Sequence, residues 1–114
     1  MSSVDELIRA QPEAERSALL AVVEAAMRLA PDAEQGISYG VAALLVDGRP
    51  LVGLAARDGG LSLYPFSPAA LDTVREQLTG WSVSKGTARF SAAKPLPAGV
   101  LERLLAARLA EIRG

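Results

Sequence analysis

Apolar positions along this chain recur at two different periods, and the change of period divides it. Leu19, Val22, Val23, Ala26, Met27 and Ala30 are spaced by threes and fours, the stripe of an amphipathic helix. Glu13, Ser17, Glu24 and Arg28 fall mostly off that stripe. Pro12 suits the first turn of such a helix, where its missing N–H costs nothing. Pro31 ends it, because the residue before a proline is pushed out of the α region. Upstream, Ser3 followed by Glu6 has capping-box spacing and predicts a short helix from Val4 to Ala10.

After Gly36 the period falls toward two. Asp47-Gly48 and Asp58-Gly59-Gly60 are hairpin-turn sequences, since glycine takes a positive φ without cost. They predict strands over Ile37–Val46, Pro50–Arg57 and Leu61–Tyr64. Connections this short make the strands antiparallel neighbours, and Gly40 predicts a bulge or break in the first of them. Ser67 then caps a helix with Pro68 at its first position and Leu71, Val74 and Leu78 on one face, stopped by Gly80. "WSVSKGTARF", residues 81–90, reads as a further strand. Pro95 and Pro97 precede a last helix carrying Val100, Leu101, Leu104, Leu105, Leu109 and Ile112 on one stripe. The order α, α, three β, α, β, α predicts an α+β two-layer sandwich, one domain over residues 1–114, with an antiparallel sheet and helices on one face.

Alternation within strands assigns the faces. Ala88 and Phe90 point at the helices, while Lys85, Thr87 and Arg89 point away. Ala43, Leu45, Leu51, Gly53 and Ala55 cannot all lie under helices, so the second face carries a floor of small apolar residues edged by polar groups. Such a surface suits a ligand or a partner chain, a second copy included.

Composition narrows the chemistry. The chain has 114 residues, half of them hydrophobic, and a net charge of −1. That is enough for a core and lacks the basic surplus of a nucleic-acid binder. It contains neither Cys nor His. Disulfides, thiol nucleophiles and a Ser-His-Asp triad are excluded, and any metal would be held by oxygen ligands. No apolar run reaches the ~20 residues of a membrane span. The N-terminal segment lacks the apolar core of a signal peptide, so a cytoplasmic location is expected.

"GISYG", "LSLYP", "SKGTARF" and "KPLP" occur in this order over most of the chain, and the set resembles the YdhG-like family. The resemblance implies a small α+β fold with a curved antiparallel sheet and helices on one side, similar to the frataxin-like arrangement. It also implies a relation to intracellular iron chaperones. By position, the resemblance places the family's Tyr on Tyr39, its Tyr-Pro on Tyr64 and Pro65, its Ser-Lys-Gly-Thr on Ser84, Lys85, Gly86 and Thr87, and its Arg-Phe on Arg89 and Phe90. The chain departs from the family after Gly40: Val41-Ala42-Ala43-Leu44 stands where a Met-Pro-Ala-Phe type run is usual.

Two candidate sites follow. Lys85, Thr87 and Arg89, with Tyr39 and Tyr64 as walls and hydroxyl donors, could hold a carboxylate or phosphate, since Arg offers a planar fork and Lys a point charge. Glu13, Glu15 and Glu24 on the second helix could hold iron, the metal the resemblance suggests. Arg9, Arg16 and Arg28 interrupt the acids, and interleaved charges mostly pair along a helix surface. The expected function is non-enzymatic binding of a small anionic ligand or a partner chain, with iron handling as the alternative.

Overall fold

The computed structural model describes residues 3–57 and 59–114. Two helices come first, Val4–Arg9 (α1) and Glu13–Leu29 (α2). Four strands follow, Glu34–Ser38 (β1), Val41–Val46 (β2), Arg49–Arg57 (β3) and Gly60–Tyr64 (β4). A short helix Pro68–Asp72 (α3) runs into a single 3-10 turn, Arg75–Leu78. Strands Ser82–Val83 (β5) and Ala88–Phe90 (β6) precede the closing helix Ala98–Arg113 (α4). All strands join one antiparallel sheet in the order β1-β2-β3-β4-β6-β5. The expected α+β architecture with helices packed on the sheet is what the chain adopts.

Both long strands expected from the sequence are folded into hairpins. Ile37–Val46 turns back at Tyr39 and Gly40, whose φ values are 51° and 75°. Two consecutive positive φ angles make a tight turn that follows the twist of the flanking strands, so Gly40 marks a reversal rather than a bulge. Residues 81–90 turn at Lys85–Gly86, closed by Ser84 N donating to Thr87 O at 2.9 Å. The turn at Asp47-Gly48 is as expected, with φ of 52° and 76°. Asp58, in the next predicted turn, lies outside the described residues, and the strands beside it pair Arg57 with Gly60.

A bulge corrects one face assignment. Leu44 pairs with Val52 but Leu45 pairs with Pro50, which leaves Leu51 as an extra residue in β3. A bulge lets neighbouring side chains point the same way, and Leu51 and Val52 both enter the helix-side core fully buried. Leu51 is therefore not part of the second face.

The helices bury their stripes on the sheet as the periodicity requires. Leu19, Val22 and Ala26 of α2, and Leu101, Leu104 and Leu105 of α4, meet Leu54, Leu61, Leu63, Ala88 and Phe90 in one cluster. Ser67 caps α3, its Oγ accepting from Ala70 N at 3.0 Å. Ser3, at the N-cap of α1, makes no side-chain cap bond. A buried polar knot, unannounced by the sequence, ties α4 to its surroundings. Arg108, 8% exposed, donates from Nε to Pro50 O at 3.0 Å and from Nη1 to Glu111 Oε1 at 3.1 Å. Ser67 Oγ donates to Glu111 Oε2 at 2.8 Å. The guanidinium thus satisfies a carbonyl at the bulge, and its carboxylate partner holds the cap of α3, which is how a buried charge escapes its desolvation cost.

Candidate functional site on the bare sheet face

Two rows of paired residues cross the face turned away from the helices. Gly36, Ala43, Gly53 and Tyr64 form one row. Ala55, Ser62, Arg89 and Ser82 form the other. Residues directly opposed in an antiparallel sheet share a face, and their alternating neighbours Leu54, Leu63 and Ala88 belong to the core. Ala43 is fully buried yet stands outside that core cluster, so something on the second face covers it.

The cover comes from side chains lying down on glycines. A Cβ built on Gly53 would meet Phe66 Cε2 and Cζ at 3.0 Å and Val41 Cγ1 at 3.2 Å, so the Phe66 ring occupies the space a side chain would take. Leu45 Cδ1 covers Gly36 in the same manner, 2.8 Å from where a Cβ would be. Tyr39 then stacks on Phe66, with ring centroids 6.0 Å apart and planes inclined by 29°. Tyr39 is 89% exposed. Both aromatics sit in the left-handed backbone region, at φ 51° and 56°, where bulky residues are uncommon because Cβ crowds the following carbonyl. Two strained aromatic residues from separate turns thus meet over one glycine.

The expected anion-binding residues are only partly brought together. Tyr64 is half-buried beside Gly53 in the first row. Arg89 lies on the same face, but its side chain passes over Gly60, and Nη2 donates to Arg57 O at 3.4 Å, away from the tyrosines. Thr87 is half-buried, and its carbonyl accepts the turn-closing bond from Ser84. Lys85 is exposed at the hairpin tip. The reversal at residues 85–86 takes Lys85 out of register with Arg89, so the alternation that would have put both cations on one strand face does not exist. Phe66, absent from the sequence-derived set, is the centre of the arrangement. Its signal was Gly53, since a lone glycine within a strand often marks a close approach by another group.

The acidic residues are spread along α2. Glu13 and Glu24 are separated by eleven positions, about 16 Å of helix rise. Glu15 lies about 200° around the helix from Glu13. Among the described residues no three acidic side chains converge to hold an ion. Trp81 packs against the core, donates from Nε1 to Lys94 O at 3.2 Å, and carries Lys94 Nζ 4.6 Å from its ring centroid.

No protein-family model matches the sequence, and none of the curated proteins does. Among solved structures the fold is similar to that of YdhG, a DUF1801-family protein from Bacillus subtilis. The TM-score is 0.80 at 13% sequence identity, over 96% of this chain and 90% of that one. At that identity the likeness shows the fold: a YdhG-like α+β arrangement of six antiparallel strands with helices packed on them. Among the described residues no helix is long and apolar enough to cross a membrane.

Proposed function

We propose that this chain is a non-enzymatic binding protein of the YdhG-like family, and that its bare sheet face takes a small anionic ligand with a flat apolar body. The observation that carries the reading is the Tyr39–Phe66 stack seated on Gly53, with both residues held at positive φ. Backbone strain of this kind persists where the surrounding structure enforces it, and it gathers at sites of function. An exposed ring stacked on a second ring offers a flat apolar surface. Tyr64 stands beside it as a hydroxyl donor. Arg89, on the same face, can swing from its long contact with a carbonyl to a carboxylate or phosphate, the stronger, charge-assisted partner.

The test is a panel of aromatic carboxylates and phosphates screened by thermal shift, followed by calorimetry on wild type, Tyr39→Ala and Arg89→Ala. Binding of at least one anion is expected; Arg89→Ala should weaken it about tenfold or more, the loss of a hydrogen bond to a charged group, and Tyr39→Ala roughly two- to tenfold, the loss of a stacking surface. If no anion raises the melting temperature, or both variants bind as wild type does, the reading fails. Light scattering would then ask whether the face pairs with a second copy instead.

A further inference from the structure

On the helix side, at the end of the sheet where α1 lies, the layer of helices is incomplete. α1 has six residues, about 9 Å of helix. It spends Val4 and Ile8 on the core. Beside it a cleft of about 460 Å³ opens between Leu7 and Ala10 of α1 and the ends of β1, β2 and β3. Ile37, Ala42 and Leu54 lie side by side across its floor as register partners, with Ala56 two residues beyond Leu54. Ala10, Ala42 and Ala56 present only methyl groups to this space. Ile37 remains 40% exposed as a result.

The lining is aliphatic, with two charged side chains, Glu6 on α1 and Arg57 at the end of β3. Arg57 is exposed, and none of the ion pairs among the described residues involves its guanidinium. A second hollow of about 240 Å³ adjoins the cleft and shares Ala56 and Arg57 with it. Small-molecule sites have this composition: a concave apolar wall of a few hundred Å³ with one or two polar groups that fix orientation.

We propose that this cleft is a binding site for an aliphatic carboxylate, its chain lying on Ile37, Ala42, Leu54 and Ala56 and its carboxylate meeting the Arg57 guanidinium. The chemistry follows from the lining. A wall without aromatic rings or hydroxyl groups selects an alkyl chain, and a guanidinium at its rim, without an ion pair among the described residues, selects a planar anionic head group. The apolar floor of this cleft faces the helices, whereas the aromatic platform lies on the opposite face of the sheet, and Arg57 reaches the cleft from the end of β3.

The probes are sodium octanoate and the neutral 1-octanol, titrated into ¹⁵N-labelled protein below the micellar concentration and followed by amide chemical shifts. Octanoate is expected to move the amides of Leu7, Ala42 and Ala56 while leaving those of Tyr64 and Phe66 in place. Arg57→Gln should weaken octanoate about tenfold and leave octanol unchanged. Ala56→Leu fills the cleft from its wall and should abolish both; Ala42→Leu does the same from a second position if the first variant fails to fold. The proposal is overturned if octanoate moves no amide of the cleft. It is equally overturned if Arg57→Gln weakens both probes alike, or if a folded filling variant binds as wild type does. Shifts confined to Tyr39, Tyr64 and Phe66 would reject this cleft and support the sheet-face site.

Discussion

Replacing Gly53 by alanine sets two effects of opposite sign against each other, and the structure says which prevails. Gly53 is not among the glycines held at positive φ, so alanine can adopt its backbone conformation. By reducing the freedom of the unfolded chain, that change alone stabilises a protein by about 0.4–1 kcal/mol. Against it stands the Phe66 ring. The new methyl would lie 3.0 Å from Cε2 and Cζ and 3.2 Å from Val41 Cγ1, where carbon atoms prefer about 3.5–4.0 Å. The ring must lift by about half an ångström, which loosens both its seat on β3 and its stack with Tyr39. Such pairs contribute about 0.5–1.5 kcal/mol beyond area, and an overpacked methyl costs about 1–3 kcal/mol. The net expectation is a loss of about 1 kcal/mol, a fall in Tm of about 4 °C for a domain of this size. In a Phe66→Ala background the clash with the ring is gone and only Val41 Cγ1, at 3.2 Å, has to give, so Gly53→Ala should lie between neutral and a gain of about 0.5 kcal/mol. Urea titrations of the four proteins, compared at constant m, measure the cycle. The reasoning is refuted if Gly53→Ala changes stability by the same amount and sign in both backgrounds.

Other substitutions separate the remaining devices. Ser67→Ala removes the cap of α3 and the bond to Glu111, and should cost about 1–2 kcal/mol in urea. Arg108→Leu leaves the Pro50 carbonyl without its partner and should cost about 1–3 kcal/mol; combined with Ser67→Ala the losses should not add, because both act through Glu111. Gly40→Ala, at φ 75° with open space around it, should lose about 1–2 kcal/mol from backbone strain alone. Gly86→Ala, equally open and without a positive φ, should stay within about 0.5 kcal/mol, so melting curves of the two isolate conformation from crowding.

The parts of the fold legible in the sequence are those written in apolar spacing. Val100, Leu101, Leu104, Leu105, Leu109 and Ile112 form an unbroken helical stripe, and all six are buried. Ser67-Pro68 reads as a helix start and is one. What was not legible is where a strand reverses. A tyrosine is a poor candidate for a positive φ, so "SYGV" reads as a strand with a weak point, whereas the chain turns there. Leu51 shows the same limit. Strict alternation sends it to the bare face, and a single extra residue in β3 returns it to the core. Periodicity carries the element; pairing decides the register, and pairing is non-local.

The same distinction governs the candidate site. Lys85 and Arg89 looked like a pair because four residues in one strand keep a side chain on one face. The turn between them dissolves that relation while leaving every local preference intact, since Lys-Gly is as comfortable in a hairpin as in an edge strand. Phe66 and Gly53, by contrast, are thirteen positions apart with no shared motif, and meet because β4 lies beside β3 and the chain leaves it at φ 56°. A contact of this kind depends on backbone geometry at single residues. It can differ between two chains that share a fold at 13% identity, because the apolar periods that build the sheet tolerate wide exchange of leucine, valine and alanine. A glycine that seats a ring does not. The binding surface of this chain therefore has to be argued from Gly53, Phe66 and Tyr39 themselves, and Gly53→Ala, which adds a single methyl group beneath the ring, is the smallest change that puts them to the test.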